Sequence, residues 1–322
     1  MFHKLSRLAA VLALCVVVLG AYVRLSDAGL GCPDWPGCYG TLTVPQSEAA
    51  IHQAQLAYPD KPLEHAKAWK EMAHRYLAGS LGLLVLVLAV LAVKQRTQLN
   101  TPWQLSIGLL VLITLQAMLG MWTVTMLLKP VIVTLHLLGG MTTLAILSWI
   151  AFRHSALPAI QVSSCQWRWL RFALLVWLAQ VALGGWTSTN YAALACTDFP
   201  TCHGAWWPQM DMSDAFHLTR ALGESQHGGQ LHLDALTAIQ WTHRLGAIVV
   251  AFWLLVSARI LWTTGQAKGA AVGLLVLLTA QIGLGIANLL LHLPLVLAVM
   301  HNAGAALLGV WLVAINSRLT QA

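Results

Sequence analysis

The residues able to do chemistry are few, and they recur at matched spacings. Glu71, His74 and Arg75 stand at the mouth of an apolar run that begins at Tyr76 and reaches Val93. Residues three apart share a helix face, so Glu71 and His74 would present a carboxylate and an imidazole together. Ionisable groups at the edge of a membrane span are costly without partners and mark functional sites by default. A second copy follows. His243 and Arg244 open another apolar run, with Gln240 in the place of Glu71. Further on, Gln116, Gly120 and His136 match Gln281, Gly285 and His301 at identical separations. Residues 19–38, LGAYVRLSDAGLGCPDWPGC, align with 183–202, LGGWTSTNYAALACTDFPTC, so each copy also carries a C-x5-C segment with an Asp-aromatic-Pro core.

The elements that must position these groups follow from composition. Of 322 residues, 58% are hydrophobic and 9% charged, and the mean hydropathy is +0.70. A soluble domain could not hide that much apolar surface. Eight runs approach the ~20 residues a span requires: 8–24, 73–93, 104–127, 131–152, 169–188, 242–262, 270–291 and 294–315. Lipid-exposed backbone must satisfy itself, and alternating strands are absent, so the spans are read as helices. The expected fold is an all-α polytopic membrane protein, with eight transmembrane helices forming two parallel-repeat four-helix bundles. The halves are residues 1–155 and 165–322, each with four spans and therefore the same orientation.

The net charge of +7 is read as topology rather than nucleic-acid binding. Lys4, Arg7, Lys94, Arg96, Arg153, Arg168, Arg171, Arg259, Lys268 and Arg318 fall at the termini and the even-numbered short loops. By the positive-inside rule both termini are cytoplasmic, and the long loops 25–72 and 189–241 lie outside. The first run resembles a signal peptide behind Lys4 and Arg7, but no small-residue cleavage site follows and the repeat gives it a partner, so it is kept as a helix. Cys32 and Cys38 fall in one outer loop and Cys196 and Cys202 in the other, which suggests a disulfide or a cycling dithiol in each; a metal site is the competing reading. Cys15 and Cys165 stand alone.

Each half thus brings one histidine near the outer end of its second span and another near the outer end of its fourth, at one membrane height. Facing imidazoles are the usual axial ligands of a buried electron-transferring haem. Gly139 and Gly140 after His136, Gly246 after His243 and Gly304 after His301 would leave room for a flat macrocycle, although glycine also serves plain helix packing in membranes. Arg75 and Arg244 could pair with haem propionates or act as interfacial anchors. His52, His65, His203, His217, His227 and His232 lie in polar loops and need no ligand role; His292 ends the seventh span. The tryptophans and methionines read as lipid-facing or interfacial.

The halves differ where chemistry would differ. Glu71 faces Gln240, Arg24 faces Ser188, Ser26 faces Asn190 and Asp27 faces Tyr191 across the repeat. A site that only holds a redox group benefits from neutral surroundings, whereas one that performs chemistry needs a group that moves a proton or stabilises charge. The first half is therefore read as the substrate site and the second as the cofactor site.

With the E-x-x-H-R entry at Glu71–Arg75, H-R at His243–Arg244, His136, His301 and the C-x5-C loops, the whole chain resembles the haem A synthases. These are membrane enzymes of cytochrome oxidase assembly. The resemblance implies an oxidoreductase acting on CH or CH2 groups, which oxidises the C8 methyl of haem O to the formyl of haem A. Water is the implied oxygen source and a haem b in the C-terminal half the electron relay. It implies Glu71 as the catalytic group, His74 and His136 as iron ligands of the substrate haem, and His243 and His301 as ligands of haem b. Arg24, Arg75 and Arg244 remain as propionate or charge partners. The family's first-loop cysteines match Cys32 and Cys38, and Cys196 and Cys202 are then more structural. The implied setting is a bacterial inner membrane with the cysteine-bearing loops in the periplasm. Haem O synthase and a second copy of the chain are candidate partners; nucleic acid is not. Two other classes share the histidines: a di-haem quinol or ferric reductase, and a haem carrier. The reductase does not explain why one half alone keeps Glu71 and Arg24; the carrier would be a binding protein whose outer loops hand cargo to a partner.

Overall fold

The computed structural model describes residues 2–97, 103–153, 157–225 and 229–321. Its helices are α1 Phe2–Leu25, α2 Glu48–Ala57, α3 His65–Lys94, α4 Trp103–Thr125, α5 Pro130–Arg153, α6 Ser164–Thr189, α7 Met212–Ala215, α8 Leu233–Thr263, α9 Lys268–Leu290 and α10 Leu295–Asn316. Eight of them, all but α2 and α7, are long and apolar enough to cross a membrane. The chain is an all-α polytopic membrane protein.

The helix ends are set by local chemistry. Pro130 is the first residue of α5 and Pro294 the N-cap of α10, positions where a missing N–H costs nothing. Two left-handed residues come just before each: Leu127 and Leu128 (φ 50° and 59°), with Lys129 between them and Pro130, and His292 and Leu293 (φ 57° and 61°), directly before Pro294. Ser163 caps α6 reciprocally with Gln166, a capping box. Two helices begin well before their apolar runs: α3 starts at His65 rather than 73, and α8 at Leu233 rather than 242. The added turns carry His65, Lys67, Lys70 and Glu71 in α3 and Asp234, Thr237 and Gln240 in α8, which interrupt the apolar run while the backbone ladder continues through them.

Two compact units divide the chain, Met1–Thr143 and Leu144–Ala322. The division falls inside α5, whose last residues group with the second unit; there Arg171 lies 5.6 Å over the Trp149 ring. In the first unit α1 packs on α3, and α3 on α4. Ala9 and Ala13 of α1 are buried, as are Leu81, Val85, Leu88 and Ala92 of α3, a seam at helical spacing with small residues that let backbones approach.

In the second unit α8 packs on both α6 and α9, and α10 on α9 and α6. Trp169 of α6 and Trp253 of α8 stack at 3.7 Å, and each indole N–H donates to the other's backbone carbonyl at 3.4 and 3.1 Å. Trp177 fills the notch at Gly309 and donates to the Ala305 carbonyl at 2.9 Å. Trp311 does the same at Gly273 and Ala270, at 3.0 Å. These indoles pack the bundle and spend their N–H inside it, which corrects the expectation of lipid-facing tryptophans for this group. A parallel pair of strands, β1 Ile160–Val162 and β2 Leu319–Gln321, joins the segment before α6 to the one after α10. Three-residue strands leave no periodic signature, and no strand was expected.

Candidate functional site

The four histidines share one local design. The His74 ring of α3 lies against Gly20 of α1, where an added Cβ would fall 2.9 Å from Cε1. The His136 ring of α5 lies against Gly120 of α4, with the corresponding distance 3.4 Å. In the second unit His243 of α8 meets Gly184 of α6, and His301 of α10 meets Gly285 of α9, both at 3.1 Å. Glycine at these four places is what lets an imidazole lie flat on a neighbouring helix. The two imidazoles of each unit are also close enough to act on one another electrostatically.

The glycines that follow the histidines have a nearer purpose than clearing space for a macrocycle. Gly139 receives the Gln116 amide, Gly246 the Gln180 amide and Gly304 the Gln281 amide. Gln180 donates to the His243 carbonyl at 3.0 Å and sits 3.1 Å from its Nδ1. Gln281 donates to the His301 carbonyl at 3.0 Å and approaches its ring at 3.4 Å. The repeat places Val16 where Gln180 stands, so the second unit brackets both histidines with amides and the first does not.

Whether these residues fit a haem is decided by what their nitrogens do. Nδ1 of His74, His136 and His301 is buried and makes no hydrogen bond of ordinary geometry. Buried polar atoms are normally satisfied. Imidazoles paired within a unit, seated on glycine and left with unspent nitrogens suit axial ligation by iron. His292 is exposed in the turn after α9 and plays no such part. His203 lies with the sulfurs of Cys196 and Cys202 in one cluster within 4.8 Å. Those sulfurs are bonded to each other, which removes them as thiolate ligands. His227 lies outside the described residues.

Above each pair a disulfide loop is pinned to the stub of α3 or α8. Cys32 is bonded to Cys38, and Cys196 to Cys202; Cys15 and Cys165 are free and exposed. Both loops contain a cis proline, Trp35–Pro36 and Phe199–Pro200. Asp34 accepts from the Tyr39 and Gly40 N–H groups at 2.6 and 2.8 Å, and Asp198 from those of His203 and Gly204 at 2.7 and 3.0 Å. Thr201 also donates to Asp198. The Thr201 hydroxyl and these two N–H groups hold the Asp198 carboxyl well below the ordinary value.

Glu71, only 5% exposed, accepts from the Cys32 N–H at 2.9 Å and pairs with Arg75. Arg75 in turn donates to the carbonyls of Asp34, Pro36 and Gly37. Gln240 makes the matching contact, accepting from the Cys196 N–H while donating to the Ala193 carbonyl. Arg244 donates to the carbonyls of Asp198, Thr201 and Cys196 at 3.0, 2.8 and 2.9 Å. Arg75 and Arg244 therefore hold the loops, a role that neither sequence reading, propionate partner or interfacial anchor, included, because only the folded loop brings these carbonyls within reach. Arg24, at the end of α1, lies 3.9 Å from Asp27.

One residue escaped sequence reasoning. Arg220 is buried over the C-terminal end of α6, 5.8 Å above the Trp186 ring, and donates to the Asn190 side chain at 2.6 Å. Burial pulls its guanidinium below the ordinary value, against the attraction of Asp214. The first loop has no arginine at a matching place, so the repeat gave no signal for it.

Residues 3–313 match the family model described as cytochrome oxidase assembly protein, COX15-CtaA. A protein of Shewanella oneidensis named Heme A synthase is 45% identical over 97% of this chain and 94% of its own length. Heme A synthases of Caulobacter vibrioides and Methylorubrum extorquens are 30% and 31% identical, over 93% and 92% of this chain and 90% and 81% of their own.

Proposed function

The chain belongs to the cytochrome oxidase assembly protein (COX15-CtaA) family, and from that premise we propose that it is a haem A synthase. The reaction is the oxidation of the C8 methyl of haem O to the formyl of haem A, an oxidoreductase step on a CH group. With water as the oxygen source, the methyl and one water give the formyl, four protons and four electrons. The observation that carries this reading is the pair of glycine-seated imidazoles in each unit, with an ion-paired carboxylate beside only one pair.

In this reading the first unit takes haem O as substrate, with His74 and His136 as the iron ligands that orient it. Glu71 lies three residues before His74 on α3, held by Arg75 and the Cys32 N–H. It is the group that receives a proton or stabilises the positive charge that develops when a ring methyl is oxidised. Arg24, 15% exposed at its side chain, adds the cation that distinguishes this end of the first unit. His243 and His301 hold a haem b, which when bound supplies a one-electron relay. Gln180 and Gln281 fix the two ligand rings. The neutral Gln240 fastens the loop without adding a charge near the relay. The setting is a bacterial inner membrane, with both termini cytoplasmic and the disulfide loops periplasmic; haem O synthase and a second copy of the chain are the candidate partners.

The test is to purify the full chain, extract its pigment and identify it. Haem b together with haem O or haem A supports the synthase. Haem b alone at both sites would instead make the protein a di-haem conduit, and loosely held haem at one site a carrier.

A further inference from the structure

The second unit holds a buried indole whose N–H its packing leaves unspent. Trp169, Trp177, Trp186, Trp253 and Trp311 each donate to a backbone carbonyl. Trp241 of α8 is 5% exposed, and its Nε1 is buried with no hydrogen-bond partner. A buried N–H without an acceptor is costly. The ring packs with Met210 on the Cys196–Cys202 disulfide, and the Arg244 guanidinium lies 5.8 Å over it. Trp241 also lines a cavity of about 210 Å³ between α8 and the segment that follows the second disulfide. Trp207, Met210 and Met212 wall it on one side, and Trp241, Thr242 and Leu245 on the other. Thr242 spends its hydroxyl on the Ala238 carbonyl, so the Trp241 N–H is the buried side-chain donor left to meet a ligand.

The direction in which the cavity leads says what fills it. At 3.6 residues per turn, Leu245, Ile248 and Phe252 lie on the same face of α8 as Trp241. They are 38%, 66% and 61% exposed on a helix long and apolar enough to cross a membrane, so lipid covers this face. Leu245 belongs both to that stripe and to the cavity, which therefore continues the lipid-facing surface beneath the loop. Trp207, 74% exposed, stands at its edge, where an indole suits the depth of lipid ester groups. No charged side chain lines the cavity, which favours a neutral acceptor over a phosphate or carboxylate. We propose that the cavity binds one glycerophospholipid of the bilayer. Its acyl chain lies along Leu245, Ile248 and Phe252, and an ester carbonyl accepts from Trp241 Nε1–H. Met210 and Met212, unbranched and adaptable, yield to admit the carbonyl. Because Met210 and Trp241 pack on the disulfide, the lipid ties this loop to the bilayer. The inference stands apart from the haem assignment.

The test uses the full-length protein, delipidated in detergent, with dioleoyl phosphatidylethanolamine and its diether analogue as probes. The two share chain length and headgroup, and the diether lacks the ester carbonyls. Retained lipid is counted by native mass spectrometry, and amide exchange is followed at residues 207–212. One neutral hydrogen bond changes affinity by about 2–10-fold. Wild type should hold the diacyl lipid more tightly than the diether by that factor, and the diacyl lipid should slow exchange at 207–212. Trp241→Phe keeps a ring in place and removes the N–H; it should hold both lipids alike, at the wild-type affinity for the diether. Trp207→Ala removes the exposed wall and should weaken both lipids about 10-fold; it decides, with the exchange readout, if Trp241→Phe does not fold. Equal affinity of wild type for the two lipids overturns the proposal. An undiminished preference in Trp241→Phe, or unchanged retention in Trp207→Ala, overturns it equally. Exchange at 207–212 that ignores lipid would place the bound lipid elsewhere on the helices and overturn it too. A quinone recovered from wild type and missing from Trp207→Ala would give the cavity a different occupant and overturn the phospholipid.

Discussion

Replacing Glu71 by glutamine separates two jobs that the structure gives to one side chain. The carboxylate fastens the first loop by accepting from the Cys32 N–H and pairing with Arg75; in the proposed reaction it is also the charge beside the substrate. Glutamine preserves most of the first job. Gln240 already performs it in the second unit, accepting from the Cys196 N–H. Arg75 would keep its three loop carbonyls. The loss to the loop is then the difference between a charged and a neutral hydrogen bond, on the order of 1–2 kcal/mol. The second job has no such substitute. Charge stabilisers of this kind contribute on the order of 10²–10³ in rate, or about 2.7–4 kcal/mol. Glu71→Gln should therefore fold, retain haem b and bind haem O, yet form haem A at least about a hundredfold more slowly. Glu71→Asp should recover part of the rate, and Gln240→Glu should create no second active site. The assay is extraction and separation of haem A formed from haem O, alongside the haem b spectrum and amide exchange at residues 32–38. Wild-type turnover in Glu71→Gln would refute the catalytic charge. Loss of haem b together with turnover would make Glu71 structural.

Three further outcomes follow from the same geometry. In Gly20→Ala the new Cβ would fall 2.9 Å from the His74 ring, so the ring must move; misplacement near 1 Å costs on the order of 10² in rate, and turnover should fall while haem b stays. Unchanged turnover would show that His74 does not need this seat. Mass mapping of unreduced protein should find Cys32 linked to Cys38 and Cys196 to Cys202, with Cys15 and Cys165 alkylated; links between the two loops would contradict the fold. The Asp198 carboxyl is held below its ordinary value of 3.8. Its contribution to the second loop is complete above that pH and is lost as pH falls toward its lower folded value. Acid should therefore expose the His203 and Gly204 amides to exchange, and Asp198→Asn should remove that pH dependence; an unchanged acid response in Asp198→Asn would place the sensitive group elsewhere.

Much of this architecture is legible in the residue pattern because a bilayer enforces it. Eight apolar runs become eight helices since lipid admits only helices and closed barrels and the runs are long and do not alternate, and His74, His136, His243 and His301 stand out because ionisable groups there are rare. What hydropathy misses lies where lipid does not reach. The stubs 65–72 of α3 and 233–241 of α8 are broken by His65, Lys67, Lys70 and Glu71 or by Asp234, Thr237 and Gln240, so helix continuity is hard to read there, and with it the fact that Glu71 and Gln240 face a disulfide loop. Arg75 beside His74 reads equally as a propionate partner or as an interfacial anchor, and its part in holding the loop appears only with the carbonyls of Asp34, Pro36 and Gly37 in place. Gly139, Gly246 and Gly304 look like space for a cofactor, and the space belongs to Gln116, Gln180 and Gln281. Trp177 and Trp311 look interfacial until Gly309 and Gly273 supply their notches. Arg220 has no counterpart in the first loop, so a comparison of copies passes over it.

The division of labour between the two histidine pairs is tested most directly by identifying the haem that each pair holds. Pigment extracted from His243→Ala and His301→Ala should lack haem b. Pigment from His74→Ala and His136→Ala should retain haem b with its bis-imidazole spectrum, lack haem A, and accompany a complete loss of turnover. Loss of the same haem in equal measure from all four variants would contradict two separate sites, and with them the account of a substrate half and a cofactor half.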